Sequence, residues 1–155
     1  MTGDSAPRAS EKGNALLAIA VGGGIAGTLD LLQACVLFGW KIPLVIAAGL
    51  LGRSAFQGGA GTYALGVLLH FFIACSAAAI YYGVSRKLRF LVEHPLVCGL
   101  FFGAAVEDVM SFIVLPLSAL HSKGPYRLHD LILGLAVHMV VIGLPISYSV
   151  RRFGK

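Results

Sequence analysis

The sequence predicts an all-α protein, a four-helix transmembrane bundle with a short interfacial or re-entrant helix between the first two spans. Three observations carry this. Hydrophobic residues make up 57% of the 155 residues and charged residues only 12%, whereas about 25% of a soluble domain is charged. The mean hydropathy is +0.85. Four apolar runs, 15–40, 61–85, 96–120 and 131–150, each reach the roughly 20 residues that a helix needs to cross a bilayer. None alternates as a barrel strand does, and backbone in lipid must satisfy its own hydrogen bonds, so the runs are helices.

Residues 1–13 are small, polar and charged and are expected to form a disordered cytoplasmic tail, ahead of a single transmembrane domain over 14–152. Arg8 and Lys12 before the first run suggest a secretory leader, with Leu32-Gln33-Ala34-Cys35 as a loose lipoprotein cleavage box. Against that reading, the run exceeds a leader core, Asp30 interrupts it, and Val36 to Trp40 continues apolar. The segment from Ile42 to Leu51 is too short to span. Bounded by Pro43 and by Gly58-Gly59-Ala60-Gly61, it reads as an interfacial or re-entrant helix, or a lid. The connection 121–130 is short, with a turn at Gly124-Pro125, and no loop is long enough for a soluble catalytic domain.

Orientation follows from charge. Eight of the 12 Lys and Arg residues lie in the N-terminal tail, the 86–94 loop and the C-terminus, which places both termini in the cytoplasm. Trp40, Tyr63 and Tyr126 then mark the outer interface, and Tyr81, Tyr82 and Tyr148 the inner one. The net charge of +5 sits in short membrane-orienting clusters such as Arg86-Lys87-Leu88-Arg89, and no nucleic-acid partner is expected. Cys35, Cys75 and Cys98 fall in apolar runs without C-x-x-C spacing and read as packing residues. Gly22-Gly23-Gly24 lacks the strand and lysine of a phosphate loop. No Ser or Cys is placed with a base as an activated nucleophile, so an enzyme is not expected.

Every span carries an ionisable group near mid-depth. Asp30 lies ten residues before Trp40, about 15 Å along a helix. Glu107 lies thirteen before Leu120, about 20 Å, while His70 and His138 lie about 14 and 11 Å inside their span starts. Gly99, Gly103, Glu107 and Ser111 share one face, as do Gly66 with His70, Gly134 with His138, and Gly23, Gly27 and Asp30. Small residues mark close helix approaches, so these faces are the packing faces and the ionisable groups point into the bundle. Asp108, rotated by about 100° from Glu107, is expected to flank that stripe beside Ala104 and Phe112.

A charged side chain at the centre of a membrane helix costs about 2.5 to 3.5 kcal/mol on insertion scales. The expected state is therefore a shared-proton network in which His70 and His138 bond Asp30 and Glu107. The candidate intramembrane polar network is Asp30, His70, Glu107, Asp108, Ser111 and His138, packed by Gly23, Gly27, Gly66, Gly99, Gly103 and Gly134. The sequence leaves several uses open: hydrogen bonds that only fix the register, a proton, ion or small-solute pathway, a metal site, or a haem held by His70 and His138. No cofactor or metal is expected, since no short H-x-x-x-H or E-x-x-H motif is present.

Several motifs then recur in one order: Gly24-Ile-Ala-Gly27, His70-Phe-Phe-Ile, Met110-Ser-Phe-Ile-Val-Leu-Pro-Leu117, and Ala136-Val-His138 followed by Arg151-Arg152. Over about 20–150 the chain resembles the YagU-like family of small bacterial inner-membrane proteins. That resemblance implies a multi-pass inner-membrane protein with a role in stress or acid tolerance, and it supplies no catalytic residues. The alternatives are a proton-coupled channel or small-solute transporter, and a haem- or metal-binding membrane protein. The bilayer is the expected partner, together with a second copy of the chain, because Gly22, Gly49 and Gly52 lie off the main packing faces.

Reporter fusions should place 86–94 and the C-terminus in the cytoplasm and 121–130 outside. A reporter at 86–94 that reads as external would overturn the orientation.

Overall fold

The computed structural model describes residues 9–121 and 127–154, with side chains from residue 14 onward. The tail expected over residues 1–8 and the turn at Gly124-Pro125 lie outside the described residues.

Six helices make up the described chain: α1 (Ala9–Phe38), α2 (Ile42–Leu51), α3 (Ala60–Ser85), α4 (Phe90–Glu93), α5 (Pro95–Leu117) and α6 (Leu128–Phe153). Four are long and apolar enough to cross a membrane: α1 from Asn14, α3, α5 and α6, at 25, 26, 23 and 26 residues. Local chemistry sets their ends. At the close of α1, Gly39 takes a φ of +96 and its N–H bonds Cys35 O at 2.9 Å, the left-handed cap that glycine adopts without a Cβ clash. Pro95 opens α5, where a missing N–H costs nothing. α1 begins at Ala9, so 9–13, read from sequence as tail, are helical.

In the bundle α1 packs against α3 and α6, and α6 against α1 and α5. α3 meets α5 through Tyr81 and Phe102, whose rings stand edge to face with centroids 4.9 Å apart. α2 does not span. Pro43 seats on Gly66 of α3, leaving no room there for a Cβ, and Gly49 O accepts the Ala119 N–H at 2.8 Å beyond the end of α5. We call the end carrying Arg86, Arg89 and Arg151 the basic end, and the end carrying Trp40 and Asp130 the far end. The basic half is filled by Ala18, Ala78, Tyr81, Cys98, Ile146 and Val150. The outer surface is apolar, with Val36, Leu68, Phe72, Phe101 and Leu117 strongly exposed.

A close crossing joins α5 to α6. A Cβ at Gly103 would run into His138 O and sit 2.5 Å from Met139 Cα, and one at Gly143 would strike Gly99 O. Each of these helices also opens into a π-helical turn, Met110–Val114 in α5 and His138–Gly143 in α6. Both turns end two residues before a proline, Pro116 or Pro145, which removes a backbone donor and crowds the carbonyl four residues back. Gly22 packs against Ser149 and Ile146, and Gly49 and Gly52 lie near Ser118 and Ala119 of the same chain.

Gly103→Ala should lower stability in detergent by about 1 to 3 kcal/mol, because the obstacle is backbone rather than a movable side chain. Gly24→Ala, where nothing lies within 4 Å, should be neutral or stabilise by about 0.5 to 1 kcal/mol. Equal effects in thermal unfolding would refute the tight crossing.

Candidate functional site

The α5–α6 crossing brings Glu107 onto His138. Glu107 is buried, at 6% exposure, and its Oε2 lies 3.0 Å from His138 Nδ1. Ser111 Oγ, one turn on, donates to Oε1 at 2.9 Å, so both carboxylate oxygens are engaged. Gly134 makes the seat: a Cβ there would stand 2.6 Å from Oε1. His138 Nδ1 also lies 3.1 Å from Gly134 O. A carbonyl only accepts, so the hydrogen is on Nδ1, shared between Gly134 O and Glu107.

The α1–α3 pair is looser. His70 Nε2 donates to Gly27 O at 2.9 Å, while Asp30 Oδ2 stands off at 3.8 Å, beyond hydrogen-bond reach. The shared network expected from sequence is thus one tight pair and one slack pair, with the His70 hydrogen on Nε2, held by backbone. Nδ1 of His70 and Nε2 of His138 make no hydrogen bond among the described residues, and each can accept a proton.

Asp108 does not join this group. It is exposed on the outer side of α5, beside Ala105 and Phe112, with no ion pair or hydrogen bond among the described residues. The six packing glycines expected from sequence lie at helix contacts: Gly23 against Cys75, Gly27 against Phe71 and Ala74, Gly66 against Pro43, Gly99 against Ser147, Gly103 against His138 and Gly134 against Glu107.

Two spaces adjoin the pairs. A pocket of about 320 Å³ between α1 and α6 is bounded by Phe38 and Asp130 at the far end and by Asp30, Gln33, Glu107 and His138 within. A smaller cavity of about 80 Å³ is lined by Asp30, His70 and His138 together with Ile46, Met110 and Ile142. Asp30 and His138 border both and form the partition between them. Sequence reasoning missed Gln33 and Asp130 as lining residues; the signal was present, since Gln33 follows Asp30 by three residues on one helix face.

The arrangement suits proton movement. A carboxylate and two imidazoles, each with an open nitrogen, stand where the two spaces meet. It does not suit a porphyrin, because the 80 Å³ between His70 and His138 is far below the roughly 300 Å³ at which pockets for drug-sized ligands begin. Among the described residues no three His, Cys, Asp or Glu side chains converge to hold a metal ion. No family model, no curated protein and no solved structure matches the chain.

Proposed function

We propose that this multi-pass membrane protein is a proton-coupled transporter of a bacterial inner membrane, with both termini cytoplasmic. One observation carries the reading: Asp30 and His138 line both the far-end pocket and the inner cavity that holds His70. Titratable groups shared by two adjoining spaces can hand a proton from one to the other. Ionisable groups within a membrane are expensive and commonly mark such routes. The role in acid tolerance that goes with YagU-like proteins agrees with this chemistry.

A second reading, a hydrogen-bonded register without transport, is favoured by one fact. Among the described residues, every fully buried side-chain nitrogen or oxygen has a partner. Proteoliposomes separate the two. For the transporter, proton flux should be pH-dependent between about pH 5 and 8, where histidine changes charge. Glu107→Gln should then abolish flux with a stability change under about 1 kcal/mol, since Gln keeps the hydrogen bonds and cannot titrate. The register reading expects no flux at any pH, a silent Glu107→Gln, and a cost of about 1 to 3 kcal/mol for Glu107→Leu, which strands His138.

A second copy of the chain completes the proposal, and Asp108 supports it. From Leu117 it lies nine residues in, about 14 Å along the helix, too far for so short a side chain to reach the interface. Facing lipid there would cost about 2.5 to 3.5 kcal/mol. A copy packed on the face of Ala105, Asp108 and Phe112 would remove that exposure. With Cys35, Cys75 and Cys98 replaced by Ala, a cysteine at Ala105 should cross-link chains in the membrane and one at Phe72 should not. Cross-linking at both positions, or at neither, would sink the dimer.

A further inference from the structure

At the basic end the chain leaves α3 through Arg86-Lys87-Leu88-Arg89 and enters α4. Here a cavity of about 470 Å³ is lined by Ser85, Arg86, Arg89, Val92, Glu93 and Gly154. Among the described residues the arginines around it have no carboxylate partner, and Arg86 and Arg151 are held by carbonyls and a ring. Arg86 Nη1 donates to Gly154 O at 3.0 Å, and its guanidinium lies 5.9 Å from the centre of the Tyr82 ring. Arg151 Nη1 donates to Glu93 O at 3.4 Å. Among the described residues every ion pair within 4.0 Å involves histidine, so no Arg or Lys is matched with a carboxylate. Arg86 and Arg89 thus line this cavity with Glu93, and Arg151 lies against the Glu93 backbone.

On the other side of α4 runs an apolar groove of about 450 Å³, between the end of α3 and the start of α5, lined by Val84, Phe90, Leu91, Val97, Phe101 and Phe102 among others. The Tyr81 hydroxyl at its wall is already spent on Leu91 O at 3.0 Å. Phe101 lies six residues past Pro95, so the groove reaches about 9 Å into the span. The cationic cavity is level with the helix ends and the groove lies beneath it. A phospholipid has the same vertical order.

We propose that this corner is a binding site for an anionic phospholipid, with the headgroup phosphate on Arg86 and Arg89 and one acyl chain in the groove between α3 and α5. A guanidinium presents paired donors that match phosphate oxygens. Basic pockets at helix ends recognise anionic headgroups. A zwitterionic headgroup would bring its own cation among these arginines, so the site discriminates by charge. The proton-coupled reading plays no part in this argument.

Native mass spectrometry of the full chain in detergent, with added phosphatidylglycerol or phosphatidylcholine of the same chains, tests it. Phosphatidylglycerol should bind at least tenfold more tightly. Arg89→Gln, which removes no intramolecular bond of the structure, should cut that preference severalfold while leaving phosphatidylcholine unaffected. Val97→Trp, which fills the groove, should weaken both lipids. Equal binding of the two lipids by the wild type, or an undiminished preference in Arg89→Gln, would overturn the proposal. So would competition by glycerol phosphate at the concentrations at which the lipid binds, because that would make the site one for free phosphate.

Discussion

The contact between Glu107 and His138 is the interaction on which the rest of this structure turns, and it exists only because α5 and α6 come unusually close. Their approach is set by Gly103 against the His138 carbonyl and Gly143 against that of Gly99, and Gly134 vacates the volume that the carboxylate occupies. A single methyl at Gly103 would push the helices apart and stretch the 3.0 Å contact. The energetics run in the same order. Interhelical polar bonds in membranes average about 0.6 kcal/mol, whereas a charge at mid-depth costs about 2.5 to 3.5 kcal/mol. The pair and its Ser111 bond therefore cannot be what drives the helices together. Close packing holds the crossing, and the crossing makes the polar pair tolerable.

The backbone departs from the regular α-helix where the polar groups sit. Both π turns fall within the polar layer, one beginning three residues after Glu107 and the other at His138 itself, and each has a proline just beyond it. π turns of this kind interrupt otherwise regular helices and are frequent at functional sites. Backbone carbonyls also enter the side-chain chemistry: Gly27 O holds His70 and Gly134 O holds His138. Two imidazoles are thereby fixed in one tautomer by groups that do not titrate. Of the two carboxylates, Glu107 is held on both oxygens, while Asp30 stands 3.8 Å from its imidazole beside open space. The slack lies on the α1–α3 side.

Much of this was legible in the sequence because membrane helices announce their inner faces twice, by glycine and by charge. The four-residue spacing of Gly99, Gly103, Glu107 and Ser111 fixes a direction on the helix without knowledge of its partner. Asp108 shows the limit. A step of about 100° from the centre of the interior stripe lands at its edge, and which side of that edge is covered depends on how neighbouring helices cross, which no single helix records. The choice of Gly27 O over Asp30 by His70 was equally hidden, since backbone carbonyls carry no residue code. Pro116 and Pro145 were visible throughout as places where regular hydrogen bonding must fail, although they do not reveal that the failure takes the form of a wide turn.

The bundle is asymmetric from end to end, and that limits where it can open. The far half admits solvent-sized space down to Asp30 and His138, whereas the centre of the basic half is filled by Tyr81, Cys98, Ile146 and Val150. If the chain transports protons as proposed, a path through this half has to part a pair of helices. Separating α5 from α6 would pull apart backbones that meet at Gly99, Gly103, His138 and Gly143. Separating α1 from α3 would break the seat of Gly23 on Cys75. The α3–α5 seam is held instead by side chains, chiefly the Tyr81 ring on Phe102, and an apolar groove already runs beside it. Side chains can change rotamer where backbones cannot yield, so of these three contacts the seam between α3 and α5, with Tyr81 anchored to Leu91 O, is the one that rearranges at least cost.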